Sequence, residues 1–355
     1  MGNEGVNPYI VLAEYNLGNI HDVIEAGGTA GKTWKATTSS GDYFLRLRGI
    51  RTSNKARLLF DHGLREHLVA HGIPTATAIH TKTGNRWVCL SGRVYELYPY
   101  VVGCQFDADN EHEVANSAKA LAEFHRSALE YKPLSTQKET IAQYTALGFS
   151  NEVSDQIDDP HLQIINMMKM KEIVDSDGNR DLTNRCIARI KRSMQKYPDF
   201  GYNGLGEWVI HGDYTPANML FSQDGKVVGI FDFDWSMRGS RCRDIADGLY
   251  FFATCPRKID SSDIWSLTDT ADFDIDRCII FLRAYQEILP LSSYETDFIP
   301  QAFAGRWFSI RLEGMAKVQK EERFRFFSRQ IEKPLLWLDT NWNHLVDKIG
   351  LYSKG

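Results

Sequence analysis

The chain has 355 residues, 43% hydrophobic and 25% charged, an ordinary globular composition on a length beyond the usual single core, so two lobes are expected. Its net charge of -5, with no basic run, gives no reason to expect a nucleic-acid partner. The cysteines at 89, 104, 186, 242, 255 and 278 show no CxxC pair or other metal spacing, and neither a signal peptide nor a bilayer-long apolar stretch occurs; the expectation is a cytoplasmic protein with reduced thiols, no membrane tether and no obligatory protein partner.

Asn19 to Ala26 reads as a strand, Gly27 to Gly31 as a loop, Lys32 to Thr38 as a second strand, Ser39 to Asp42 as a turn and Tyr43 to Arg48 as a third strand. The run from Ala26 through Gly27, Gly28, Thr29, Ala30 and Gly31 to Lys32 and Thr33 fits a relaxed Walker A pattern with Ala in place of the first Gly. A true phosphate loop needs a helix starting at Lys32-Thr33, whose N-terminus faces the phosphates. Thr33 to Thr38 is rich in β-formers instead, so the glycines read as a hairpin tip, and Lys32 either touches a phosphate or is simply exposed. On the third strand Arg46 and Arg48 share a face by period two.

Ala56 to His71 carries Leu58, Leu59, Leu64, Leu68 and Val69 at helical spacing and stops at Gly72 and Pro74. Arg86 to Leu90 and Val94 to Tyr98 form a hairpin around Ser91-Gly92; after Pro99 the pattern turns helical, most clearly from Ala115 to Leu129. The division is therefore placed between residues 1–98 and 99–355.

The exception in the helical half is the most informative stretch. Met219 to Phe221 and Val227 to Phe231 are short apolar runs joined by Asp224-Gly225, a strong hairpin signal. Folding that hairpin sets Asn218, at the start of one strand, beside Asp232, at the end of the other. An amide oxygen and a carboxylate on one rigid frame suffice for magnesium, which keeps several waters and takes few protein oxygens. Asp213 lies on the loop entering the first strand, stiffened by Pro216, where a carboxylate can orient a hydroxyl for phosphoryl transfer. His211 reads as a brace of that loop, and Asp234 as either a second metal ligand or a brace.

With His211-Gly212-Asp213, Asn218 five residues on, and Asp232-Phe233-Asp234, the chain resembles the aminoglycoside phosphotransferase and choline kinase superfamily, including its homoserine-kinase-like and sugar-kinase-like branches, from roughly Ile20 to Leu312. The resemblance implies an α+β, two-lobed protein-kinase-like fold, with an N-terminal antiparallel sheet lobe for nucleotide and a larger helical C-terminal lobe carrying the catalytic hairpin. It implies ATP and Mg2+, Asp213 as catalytic base, Asn218 and Asp232 as metal ligands, and Asp244 in Arg243-Asp244-Ile245-Ala246 as a brace of the active-site loop. On the same resemblance Gly28, Thr29, Gly31 and Lys32 lie over the phosphates, and Glu96 and Tyr98 fall in the hinge segment whose backbone reads adenine.

The strand position of the kinase lysine offers Arg46 instead, with Asp61 on the following helix as its expected acidic partner and Glu66 as the alternative. His125 matches a helix position common in the family and reads as a packed core histidine.

The short stretch between Asp232 and the helix near Asp244 leaves no room for an activation segment to dock a polypeptide, so a small hydroxylated substrate is expected. Its wall is assigned to Tyr214, Asp234, Trp235, Arg306, Trp307 and Arg311; Trp307 and Arg311 share a helix face, which suits sugars or carboxylates but equally core packing. Two rivals remain: a Walker-type nucleotide hydrolase using Lys32 and Thr33, and a non-catalytic kinase-like binding module suggested by the missing strand lysine.

Overall fold

The computed structural model describes residues 7–26, 32–131, 160–172, 177–197, 208–255 and 263–350. Five antiparallel strands, β1 (Ile20–Ala26), β2 (Thr33–Thr38), β3 (Gly41–Leu47), β4 (Val88–Leu90) and β5 (Arg93–Pro99), lie in the order β1-β2-β3-β5-β4. The β4–β5 turn uses positive φ at both Ser91 (52°) and Gly92 (71°), the twist that two-residue hairpins require. Inward residues Trp34, Ala36, Leu45, Leu47, Tyr95 and Leu97 form a compact core with Val11 and Leu12 of a short first helix, α1 (Pro8–Leu12).

β2 begins at Thr33 as a strand, and the Thr33 hydroxyl donates to the Ala26 carbonyl at 2.7 Å, closing the base of the β1–β2 hairpin. The helix demanded by a Walker loop is therefore replaced by a strand, which removes the hydrolase rival. The glycine tip itself, with Gly28, Thr29 and Gly31, lies outside the described residues; Lys32 is exposed.

α2 (Lys55–Ala70) starts where the Asn54 side chain accepts the Arg57 amide, and it buries Leu58, Leu64 and Leu68. The second lobe gathers α3 (Glu111–Leu129), α4 (Pro160–Glu172), α5 (Asp177–Lys196), α6 (Arg241–Phe252), α7 (Ile275–Ile288), α8 (Ser293–Gly314), α9 (Arg323–Ser328) and α10 (Lys333–Ile349) around a core that includes Phe124, Ile245, Phe281 and Phe308. Among the described residues no helix is long and apolar enough to cross a membrane.

Among the described residues, four short strands interrupt the helices: β6 (Trp208–Ile210) pairs with β9 (Met237–Gly239), and β7 (Met219–Phe221) with β8 (Val227–Ile230). The β7–β8 hairpin is fixed from both sides. Cys104 and Phe221 exchange backbone hydrogen bonds of 2.7 and 2.9 Å, while the Ile230 amide donates to Pro74 and its carbonyl accepts from the Thr75 hydroxyl. The segment leaving β5 thus holds the turn end of the hairpin, and the one leaving α2 holds its mouth end.

Candidate active site

The hairpin closes as its turn chemistry requires: the Phe231 amide donates to the Asn218 carbonyl at 2.9 Å, so Asn218 and Asp232 flank one opening. Asn218 Nδ2 donates to the Asp213 carbonyl at 2.9 Å and to Asp213 Oδ2 at 3.0 Å. That leaves the amide oxygen turned away from Asp213, as a metal ligand would need. Asp232 adopts a left-handed backbone (φ 57°, ψ 66°), a conformation that Asp tolerates better than most residues and that aims a side chain where a regular strand end would not. Burial raises the Asp232 carboxyl above its ordinary range, assisted by the neighbouring Asp234 and Asp213 charges and opposed by Arg46, so the site gains from an added cation.

The loop carrying Asp213 is braced from α6. Asp244 accepts from the amides of His211 (2.6 Å) and Gly212 (2.9 Å) and from His125 Nε2 at 3.1 Å. Burial opposes its ionisation, but those hydrogen bonds outweigh burial and hold its carboxyl below the usual range. His211 spends Nε2 on the Phe231 carbonyl at 2.8 Å and Nδ1 on the Asp213 amide at 3.3 Å, so it ties the loop to the hairpin and is no proton shuttle. His125 is fully buried, with Tyr285 on its other nitrogen at 2.9 Å.

The arginine pairings differ from the expectation. Arg46 forks onto Asp234 (3.0 and 2.7 Å) and reaches Asp232 at 3.1 Å. Asp61 instead accepts from Arg48 Nη1 and Arg65 Nε, each at 2.6 Å. Arg46 and Arg48 do share a face, but Arg48, at the strand's end, overlies α2, while Arg46 overlies the hairpin. Glu66 forms an exposed pair with Arg86 at 2.6 Å, a solvated face.

Glu96 lies directly opposite Arg46 in the β3–β5 register, fully buried, with Arg48 at 2.8 Å and His62 at 3.0 Å. Tyr98 is buried with the Arg65 guanidinium 4.9 Å over its ring. The side chains of Glu96 and Tyr98 are therefore internal, leaving only their backbone for a ligand.

Of the residues assigned to the substrate wall, Arg306 reaches the site. Its Nη2 donates to Asp213 Oδ1 at 2.9 Å and its Nε to Asp247 Oδ1 at 3.0 Å. Asp234 is buried in the arginine cluster, also bonded by Thr52 Oγ1 at 2.8 Å, so it acts as a brace. Trp235 is half-buried behind Gly212. Tyr214 is 1% exposed, its hydroxyl on the Ser117 carbonyl at 2.7 Å.

Trp307 and Arg311 do share a face, with the guanidinium 4.2 Å over the indole, but that face is core: Trp307 Nε1 bonds the Ile331 carbonyl and Arg311 the Phe326 and Thr268 carbonyls. The sequence reading named Arg48 and Arg243 without giving either a role and did not name Asp247; in the structure Arg243 Nη2 donates to the Gly212 carbonyl at 3.0 Å. For Asp247 the available signal was its place three residues after Asp244 on the same side of α6.

A model of the phosphotransferase enzyme family, APH, matches residues 24–263. The chain belongs to that family. Family members act on hydroxyl acceptors, and this chain is an ATP-dependent phosphotransferase with an alcohol group as acceptor. It is similar to the homoserine kinases of Xanthobacter autotrophicus (22% identical, covering 83% of this chain and 80% of that one) and Paramagnetospirillum magneticum (24%, covering 81% and 78%).

Among solved structures it resembles an aminoglycoside phosphotransferase from Alicyclobacillus acidocaldarius (TM-score 0.62, 14% identity, covering 97% and 98% of the two chains). It also resembles the amicoumacin kinase hAmiN in complex with AMP-PNP, Ca2+ and Ami (TM-score 0.63, 15% identity, covering 90% and 91%) and a microcompartment-associated aminopropanol kinase (0.60, 14%, 96% and 97%). At such identities these likenesses establish the protein-kinase-like fold alone.

Proposed function

We propose that the chain transfers the γ-phosphoryl group of ATP to a hydroxyl of a small metabolite, with residues 1–98 as the nucleotide lobe and 99–355 carrying the catalytic loop and acceptor side. The observation that carries this reading is the Asp213–Asn218 contact of 3.0 Å across the mouth of a hairpin whose other lip is Asp232. In it Asp213 orients the acceptor hydroxyl and takes its proton as the acceptor oxygen–phosphorus bond forms and the bond from the γ-phosphorus to the β–γ bridging oxygen breaks, releasing ADP. Asn218 Oδ1 and the Asp232 carboxylate would be the oxygens that hold Mg2+, and their hard-donor chemistry fits that ion. Held there, the ion would neutralise charge on the phosphates and orient them.

Arg46, with its fork already at the metal side of the site, moves onto the phosphates, a role its planar donors suit. Gly28, Thr29, Gly31 and Lys32 are assigned to the phosphate flap and the backbone near Tyr98 to adenine. The acceptor class follows the relatives: homoserine and related hydroxyamino acids come first, amino alcohols, sugars and aminoglycosides next. ATP consumption across such a panel, with mass spectrometry of the products, tests this. One acceptor gaining a phosphoryl mass in an Asp213-dependent way supports it; Asp213→Ala with normal turnover refutes it, the expected loss being about 10²–10⁴-fold. No turnover with any acceptor would instead favour a non-catalytic module, against which an intact Asp213, Asn218 and Asp232 speak.

A further inference from the structure

Asp213 has both carboxylate oxygens engaged, and from opposite sides. Oδ2 accepts from Asn218 on the hairpin, while Oδ1 accepts from Arg306 Nη2 at 2.9 Å on α8, far away in sequence. A carboxylate at a loop end has free rotation about its last torsion; donors on each oxygen fix its plane. Arg306 is itself anchored: Nε donates to Asp247 Oδ1 at 3.0 Å and more weakly to Oδ2 at 3.3 Å, and the Arg306 side chain is only 13% exposed.

Asp247 is 1% exposed on α6, the helix whose Asp244 holds the His211 and Gly212 amides. Two acids one helical turn apart therefore act on the same loop, Asp244 on its backbone and Asp247, through Arg306, on its functional side chain. Burial pushes the Asp247 carboxyl up to about 7, against the pull of the Arg306 and Arg243 charges, so seating it there works against ionisation. A buried acid with that penalty, one residue removed from a base, fits a positioning role better than a stabilising one.

We infer that Arg306, anchored by Asp247, is a positioning residue that locks the Asp213 carboxylate in the orientation needed to receive the acceptor proton. This rests on the reading of Asp213 as base. The lock acts on the base and leaves the nucleotide side alone, so its loss falls on kcat and leaves the KM for ATP in place.

The test uses the full-length enzyme with ATP-Mg and whichever panel acceptor turns over fastest, water included as basal hydrolysis. Arg306→Ala is expected to lower kcat by about 10–100-fold, since misplacing a reacting group by about 1 Å costs on that order, with KM for ATP changed less than about twofold. Added guanidinium or ethylguanidine is expected to restore at least part of the loss, and Arg306→Lys, a point charge lacking the fork, to recover only a fraction. Asp247→Asn keeps the shape and loosens the anchor, with a smaller fall in kcat; it serves as the second probe should Arg306→Ala fail to fold.

The inference is overturned by a normal kcat in Arg306→Ala or, where that variant does not fold, in Asp247→Asn; equally by a folded Arg306→Ala whose lost turnover no guanidinium compound restores. Asp213→Asn run alongside separates the two claims: if it retains turnover the base assignment fails, whereas if it is dead and Arg306→Ala is normal only the lock fails.

Discussion

Gly212 provides the sharpest test of how the catalytic loop is built. It sits between His211 and Asp213 at φ +81°, and a Cβ placed on it would stand 2.2 Å from the Trp235 carbonyl oxygen and 2.8 Å from its carbonyl carbon. The obstacle is backbone, so no side chain can rotate away. Reaching an ordinary contact demands a shift of about 1 Å between the loop and the turn after Asp232, and the left-handed conformation itself adds roughly 1–2 kcal/mol for a residue with a Cβ.

For Gly212→Ala we therefore expect a stability loss of about 2–4 kcal/mol by denaturant titration and a fall in kcat of about 10²-fold, the usual consequence of a misplaced reacting group. Nucleotide binding by calorimetry should suffer less, since Arg46 and the sheet lobe are untouched. A Gly212→Ala protein with wild-type melting and turnover would refute both the close approach and the placement of Asp213.

Asp232→Ala should abolish the magnesium-dependent part of ATP binding, and unchanged ATP-Mg affinity by calorimetry would contradict the ligand assignment. Arg46→Ala should act with opposite signs on two ligands: ATP binding weakens by about 1–2 kcal/mol, while Mg2+ alone binds more tightly because Asp232 loses a competing cation 3.1 Å away. Titrations of each ligand separately check this, and a parallel loss of both would sink it. For Asp247, whose carboxyl is pushed up to about 7 in the fold against about 4 in an unfolded chain, the folded protein keeps a proton that the unfolded one releases between those values. Its contribution to stability is therefore lost as pH rises from about 4 to 7, and Asp247→Asn should gain on the wild type across that window, by up to a few kcal/mol, in melting curves recorded at each pH.

The parts legible in the sequence are those fixed by local chemistry. Asp224-Gly225 between two apolar runs marks the hairpin, and its pairing, with one register shift between Leu220 and Phe221, places Asn218 beside Asp232. The β-formers after Thr33 likewise decide between a strand and a phosphate-loop helix. What was hidden depends on how elements face one another. Period two puts Arg46 and Arg48 on one side of β3 but says nothing of which acid each meets, because that follows from how α2 and the hairpin cross the sheet. In α8 the spacing of Trp307 and Arg311 was right and the face wrong: this helix buries Phe298, Ile299, Phe303, Trp307, Phe308 and Leu312, so its apolar pattern encircles it and marks no cleft side. Arg306, one residue from Trp307, points to the catalytic loop.

The replacement of the strand lysine by Arg46 also acquires a physical sense from these contacts. A lysine at that place offers three donors from one compact nitrogen, whereas here a planar fork spans both oxygens of Asp234 bidentately and still reaches Asp232. Asp234 does not depend on Arg46 alone, since Arg48 lies at 3.0 Å and Thr52 Oγ1 at 2.8 Å. Arg46 can thus leave for the phosphates with Asp234 still paired, and only Asp232 is uncovered when it goes. On the proposed assignment, the carboxylate that Arg46 would release, Asp232, is the one that would hold the metal, so nucleotide and metal binding would favour each other.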